Sequence, residues 1–97
     1  MGKTRIAQIL AQHQPELRRF GVRRLALFGS ALKETAGPHS DIDLLVEFER
    51  TVSLFEFFQL QHRLEEILEV ERVDLVQPGA LHPALKDHIL AEAQHVA

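Results

Sequence analysis

Apolar residues fall along this chain in short blocks, and the spacing within each block predicts an element. Ile6, Ile9 and Leu10 recur at helical spacing and predict a first helix over about 4–13, with Thr4 as its cap. Pro15 interrupts it, and because proline suits a first turn, a second short helix through Pro15-Glu16-Leu17-Arg18-Arg19 follows, closed by Gly21. Leu25, Ala26, Leu27 and Phe28 then form an apolar run that stops at Gly29, the pattern of a buried strand. Residues 30–35 suit one or two helical turns, terminated by Gly37-Pro38. From 41 to 48 the chain alternates: Ile42, Leu44, Val46 and Phe48 face one way, and Asp41, Asp43, Leu45 and Glu47 the other.

Ser53-Leu54-Phe55-Glu56 is a capping-box pattern, which starts a helix by satisfying its free amide donors. Phe57, Leu60, Leu64, Ile67 and Leu68 continue that helix with a period near 3.6, and Phe55 and Phe58 widen the stripe. Val73-Asp74-Leu75-Val76 reads as a third strand ended by Pro78-Gly79. A last helix is expected over about 82–93, with Leu85, Ile89 and Leu90 as its apolar positions. The fold class is α/β: a small mixed sheet of about three strands with helices packed on it. No repeat or linker divides the 97 residues, so residues 1–97 are expected to form a single domain.

Composition narrows the classes of function. Hydrophobic residues make up 45% and charged residues 26%, the balance of a folded globular chain. Cysteine is absent, which excludes disulfides and thiolate metal sites. No apolar run approaches the roughly 20 residues that span a bilayer, and Gln8, Gln12 and His13 break up the N-terminal stretch. A cytoplasmic location with no membrane contact is expected. A net charge of -3 gives no general attraction to nucleic acid, and no direct contact with it is expected.

The chemistry concentrates in "LFGSALKETAGPHSDIDLLVEF", residues 27–48. Asp41 and Asp43 lie two apart on a strand, so both leave one face about 6–7 Å apart at the backbone. Acidic residues are poor strand formers, and two together are hard to explain as solvated strand positions. Converging carboxylates can share hard cations, such as the two magnesium ions roughly 3.5–4 Å apart in phosphoryl-transfer sites. Asp74 repeats the pattern between Val73 and Leu75; taken alone it reads as a solvated strand residue, and beside the pair as a third acid. Gly29-Ser30 offers amides and a hydroxyl at a strand-to-helix break, a natural phosphate cradle, although a plain turn capped by Ser30 would look the same.

Gly29-Ser30, ten residues, then Asp41-Ile42-Asp43 resembles the signature of the DNA polymerase beta-like nucleotidyltransferase superfamily. "RRLALFGS" and "SDIDLLVEF" look like the minimal nucleotidyltransferases, or MNT proteins, and the likeness continues through "RVDLVQPGALHPALKDHILAEA". It implies the nucleotidyltransferase fold, magnesium held by Asp41, Asp43 and Asp74, and ATP phosphates held by Gly29 and Ser30. Many MNT proteins carry Arg directly after Gly-Ser and again two residues later; here Ala31 and Lys33 stand there, and Lys33 keeps a phosphate contact as a point charge. Similar proteins are antitoxins that transfer AMP to a tyrosine of a HEPN-domain ribonuclease toxin, which implies the same toxin partner, enzyme class and acceptor here. Ala31 also permits a non-catalytic antitoxin that silences the toxin by occlusion. Small-molecule nucleotidyltransferases carry a further helical domain for the acceptor, for which 97 residues leave no room.

The remaining motifs have plainer readings. Six histidines, His39 before the acid pair among them, lack ligand spacing and read as surface residues. Arg18, Arg19, Arg23 and Arg24 around Phe20 read first as a solvated basic edge and second as a contact for a partner or nucleic acid. Leu54, Phe55, Phe57 and Phe58 exceed what one helix face buries in so small a chain, which predicts an apolar surface for a protein partner.

Overall fold

A computed structural model describes residues 2–28 and 42–97, apart from the side chain of Leu85. The expected helical turns at 30–35 lie outside the described residues. The elements run α1 (Lys3–Gln12), α2 (Gln14–Arg19), β1 (Val22–Phe28), β2 (Ile42–Phe48), α3 (Leu54–Leu68), β3 (Val73–Val76), a 3-10 turn (Pro78–Ala80), α4 (Pro83–Glu92) and β4 (Gln94–His95). The sheet order is β3-β2-β1-β4, with β2–β3 parallel and the other two pairings antiparallel. A mixed sheet with helices packed on it is thus observed, with four strands among the described residues where about three were expected.

The fourth strand has a tertiary cause. Gln94 and His95 pair with Leu27 and Ala26, and the Val96 N–H donates to the Leu25 carbonyl at 3.0 Å. Nothing in the local sequence demands an extended conformation there. The open edge of β1 supplies the hydrogen bonds, and burial of Val96 in the core adds to them. β1 also starts earlier than its apolar run, at Val22. A register shift between Val22 and Arg24 inserts an extra residue, so that Val22, three positions before Leu25, also comes to be buried in the core.

One face of the sheet carries Leu25, Leu27, Ile42, Leu44, Val46, Val73 and Leu75, all in the main core. Ile6 and Leu10 of α1, Leu17 of α2, and Leu60, Leu64 and Leu68 of α3 complete that core. The three α3 leucines follow the 3.6-residue period that predicted them. Ser53 caps α3 as expected: its hydroxyl accepts from the Glu56 N–H at 3.1 Å, and Glu56 reaches back to the Ser53 N–H at 3.4 Å. α1 differs in detail, since Gly2 stands at its N-cap and Thr4 lies within the helix. Gly21 ends α2 with φ 83, a conformation that suits glycine because it lacks Cβ. Its carbonyl accepts from the Glu49 N–H at 2.8 Å, tying the start of β1 to the end of β2.

Arg63 of α3 grips Glu16 of α2 with two parallel hydrogen bonds, through Nε and Nη2, and reaches Glu66 at 3.2 Å. The Arg63 hydrogen bonds hold the Glu16 carboxyl below its ordinary value of 4.5. A depressed folded-state value means that this contribution is whole above the unfolded value and is lost as pH falls through the folded one. The melting temperature of the wild type should therefore fall more steeply than that of Arg63→Gln as pH drops below about 4.5. Parallel melting curves for the two proteins through the acid range would sink this assignment.

Candidate active site

The parallel pairing of β2 with β3 sets the register Ile42↔Val73, Asp43↔Asp74, Leu44↔Leu75. Side chains alternate along a strand, so Asp43 and Asp74 leave the face opposite the buried Ile42, Leu44, Val73 and Leu75. They stand side by side on strands about 4.8 Å apart. The antiparallel pairing extends the row by one more residue, Phe28↔Asp43. The last residue of β1, immediately before Gly29 in the sequence, thus flanks the first acid of the pair. Three strand ends meet here: the carboxyl end of β1 and the amino ends of β2 and β3.

Both acids are half-buried. Arg72 lies two residues before Asp74, and its Nε is 3.2 Å from Asp74 Oδ1. Sequence reasoning passed over Arg72, although its spacing of two from Asp74 on a strand already put the two side chains on one face. The arginine side chain is 63% exposed, so solvent screens the pair and a bound cation or phosphate can displace it.

Of the other residues expected at the site, Gly29, Ser30, Lys33 and Asp41 lie outside the described residues, as do Ala31 and His39. Among the described residues no group of three His, Asp or Glu side chains is arranged to hold a metal ion. The donor set fits magnesium: two hard, half-buried carboxylates in adjacent register, with Asp41 two positions before Asp43 in the chain. Cavities among the described residues lie elsewhere. One of about 400 Å³, lined by Leu17, Arg18, Val22 and Arg23, sits at the far end of β1 from Asp43. Another, of about 200 Å³, lies on the acid-bearing face between Ala26, Leu45 and Leu90. The apolar surplus on α3 is exposed, with Leu54 at 69%, Phe55 at 71% and Phe58 at 48%. Phe57 instead turns inward and meets Phe48 edge to face at 6.4 Å between ring centroids. Among the described residues no helix is long and apolar enough to cross a membrane.

The register brings Asp43 and Asp74 together beside the end of β1, and Gly29-Ser30 follow β1 in the sequence. The family model described as Polymerase beta, Nucleotidyltransferase matches residues 5–97, and the chain belongs to that family. It is 42% identical over 92 residues to the Protein adenylyltransferase MntA of Thermococcus cleftensis, covering 94% of this chain and 92% of the relative. A solved structure described as a candidate minimal nucleotidyltransferase superposes with a TM-score of 0.73 at 35% identity, covering 96% of this chain and 94% of that one. A chain from the complex of a tri-AMPylated Shewanella oneidensis HEPN toxin with its MNT antitoxin superposes with a TM-score of 0.68, covering 98% of this chain and 71% of that one. At 21% identity, this last likeness speaks to the fold.

Proposed function

We propose that this chain is a protein adenylyltransferase antitoxin, which transfers AMP from ATP to a tyrosine hydroxyl of a cognate HEPN-domain ribonuclease toxin. The observation that carries the reading is the register of Asp43 against Asp74 beside the end of β1. The relative named a protein adenylyltransferase supports the reaction class, and the fold shared with the MNT antitoxin of a tri-AMPylated HEPN toxin is consistent with a HEPN toxin as partner. In this reading residues 1–97 are one nucleotidyltransferase domain acting in the cytoplasm.

Gly29, Ser30 and Lys33 would hold the triphosphate, and Asp41, Asp43 and Asp74 would hold magnesium. Bound there, magnesium supplies charge neutralisation to the phosphates and the leaving pyrophosphate. The tyrosine oxygen bonds to the α-phosphorus, the bond from α-phosphorus to the bridging oxygen breaks, and pyrophosphate departs. The hydroxyl proton passes to a carboxylate oxygen of Asp74. The rest of the catalysis is positioning, and a protein acceptor brings its own docking surface for that purpose. The exposed Leu54, Phe55 and Phe58 are the surface we assign to it.

Ala31 favours a second reading, in which the chain neutralises the toxin by binding alone. Mass spectrometry of the toxin co-expressed with this chain separates the two. Adducts of adenylate mass on a toxin tyrosine, lost with Asp43→Asn, are the expected result. A toxin that is neutralised yet unmodified would overturn the enzymatic reading and leave occlusion.

A further inference from the structure

Among the described residues β3 is an edge strand of four residues, with β2 as its strand neighbour. The Ile42 N–H donates to the Arg72 carbonyl at 3.1 Å. In a parallel ladder of this register Ile42 therefore bridges Arg72 and Asp74, and the N–H and C=O of Val73 point away from β2. Unpaired, they would be orphaned beside a buried side chain. Two side chains of α3, one helical turn apart, take up both. Gln61 Nε2 donates to the Val73 carbonyl at 2.8 Å, and the Val73 N–H donates to Glu65 Oε2 at 2.9 Å. The other oxygen of Glu65 lies 3.2 Å from His62 Nδ1. The turn after α3 makes this possible: Glu69 adopts a left-handed conformation with φ 55, and the Val70 N–H returns to the Glu65 carbonyl at 3.1 Å.

We propose that Gln61 and Glu65 are positioning residues for Asp74, clamping the Val73 peptide groups from outside the sheet so that the Asp74 carboxylate stays in register with Asp43. The inference rests on the reading of Asp74 as a site acid. Asp74 is the second residue of a short edge strand, and such ends open first. Bonds to β2 on one side and to α3 on the other hold the peptide before Asp74 across both of its edges. A hydrophobic residue at 61 or 65 could serve the core as well, but could not close this edge. The bond to the Glu65 carboxylate is charge-assisted and so among the stronger of its kind.

The test uses the full chain with its HEPN partner, comparing Glu65→Ala, Gln61→Ala and the conservative Glu65→Gln, whose amide oxygen still accepts from the Val73 N–H. Amide exchange at Val73 should accelerate in Glu65→Ala. The turnover number for AMP transfer should fall about 10–100-fold, the scale of losing an outer support of a metal ligand, with the KM for the toxin unchanged. Glu65→Gln should recover most of both. A role confined to general stability would lower the melting temperature without this kcat-against-KM split and without rescue by Gln. Unchanged Val73 exchange in Glu65→Ala, or fast exchange with full turnover, would overturn the clamp. A wild-type chain that transfers no AMP would overturn the adenylyltransferase reading and the clamp with it, and is distinguishable because the defect is then not confined to the variants.

Discussion

Asp43→Asn is expected to abolish detectable AMP transfer to the HEPN partner while leaving the melting temperature close to that of the wild type. The substitution keeps the size and shape of the side chain and removes its charge at a half-buried position outside the core. Core packing should therefore survive. The site should not, because a carboxylate in the middle of the row Phe28–Asp43–Asp74 adjoins both neighbouring strands. Losing an outer support of a metal ligand typically costs about 10–100-fold, and losing Asp43 in its proposed role as the ligand itself should cost more. Asp74→Asn should cost less, about 10²–10⁴-fold, the usual worth of a general base. It should also disturb ATP binding less than Asp43→Asn does. Turnover with radiolabelled ATP, alongside circular dichroism melts, measures both. Near-wild-type turnover in Asp43→Asn would remove the central acid from the mechanism.

The second large effect concerns stability. Leu64→Ala should destabilise the chain by about 2–5 kcal/mol, the range for emptying a buried leucine site. Leu64 is fully buried, midway between Leu60 and Leu68 on the face of α3 that covers the sheet. Small domains are stable by only about 5–15 kcal/mol, so this change takes a large share. The melting temperature should fall by about 8 °C or more. Phe55→Ala, on the exposed side of the same helix, should move it little, since surface substitutions usually stay within about 0.5 kcal/mol. Equal shifts in the two variants would mean that α3 packs through a different face.

Phe55→Ala should weaken binding of the proposed HEPN partner, because the exposed aromatic surface is its assigned docking face.

Much of the architecture was legible residue by residue. The capping box at Ser53–Glu56, the leucine period of α3 and the alternation over 42–48 are local patterns, set by backbone amides at a helix start and by side-chain periodicity. Among the described residues α1, α2, β2, α3, β3 and α4 appear where their patterns put them, within a residue or two, while β1 starts three residues before its apolar run. Two features had weaker local signals. Val22 belongs to β1 through a register irregularity that no spacing rule announces, and Gln94–His95 form a strand because β1 has an open edge for them. Hydrogen-bonding capacity at a sheet edge depends on which strand lies beside it, and that is not written in either segment alone.

The same division runs through the candidate site. Spacing along β2 and β3 set the face on which Asp43 and Asp74 stand, because alternation is a property of each strand by itself. Their meeting depends on a parallel register between segments thirty-one residues apart in the chain, and one step of slip would place Asp43 against a buried valine or leucine instead. Arg72 against Asp74 was readable from a spacing of two. The grip of Gln61 and Glu65 on Val73 was not, since it needs α3 folded back along the outer edge of β3. Periodicity acts within one segment and survives in the bare sequence; register and edge contacts arise between segments and exist only once the chain has packed.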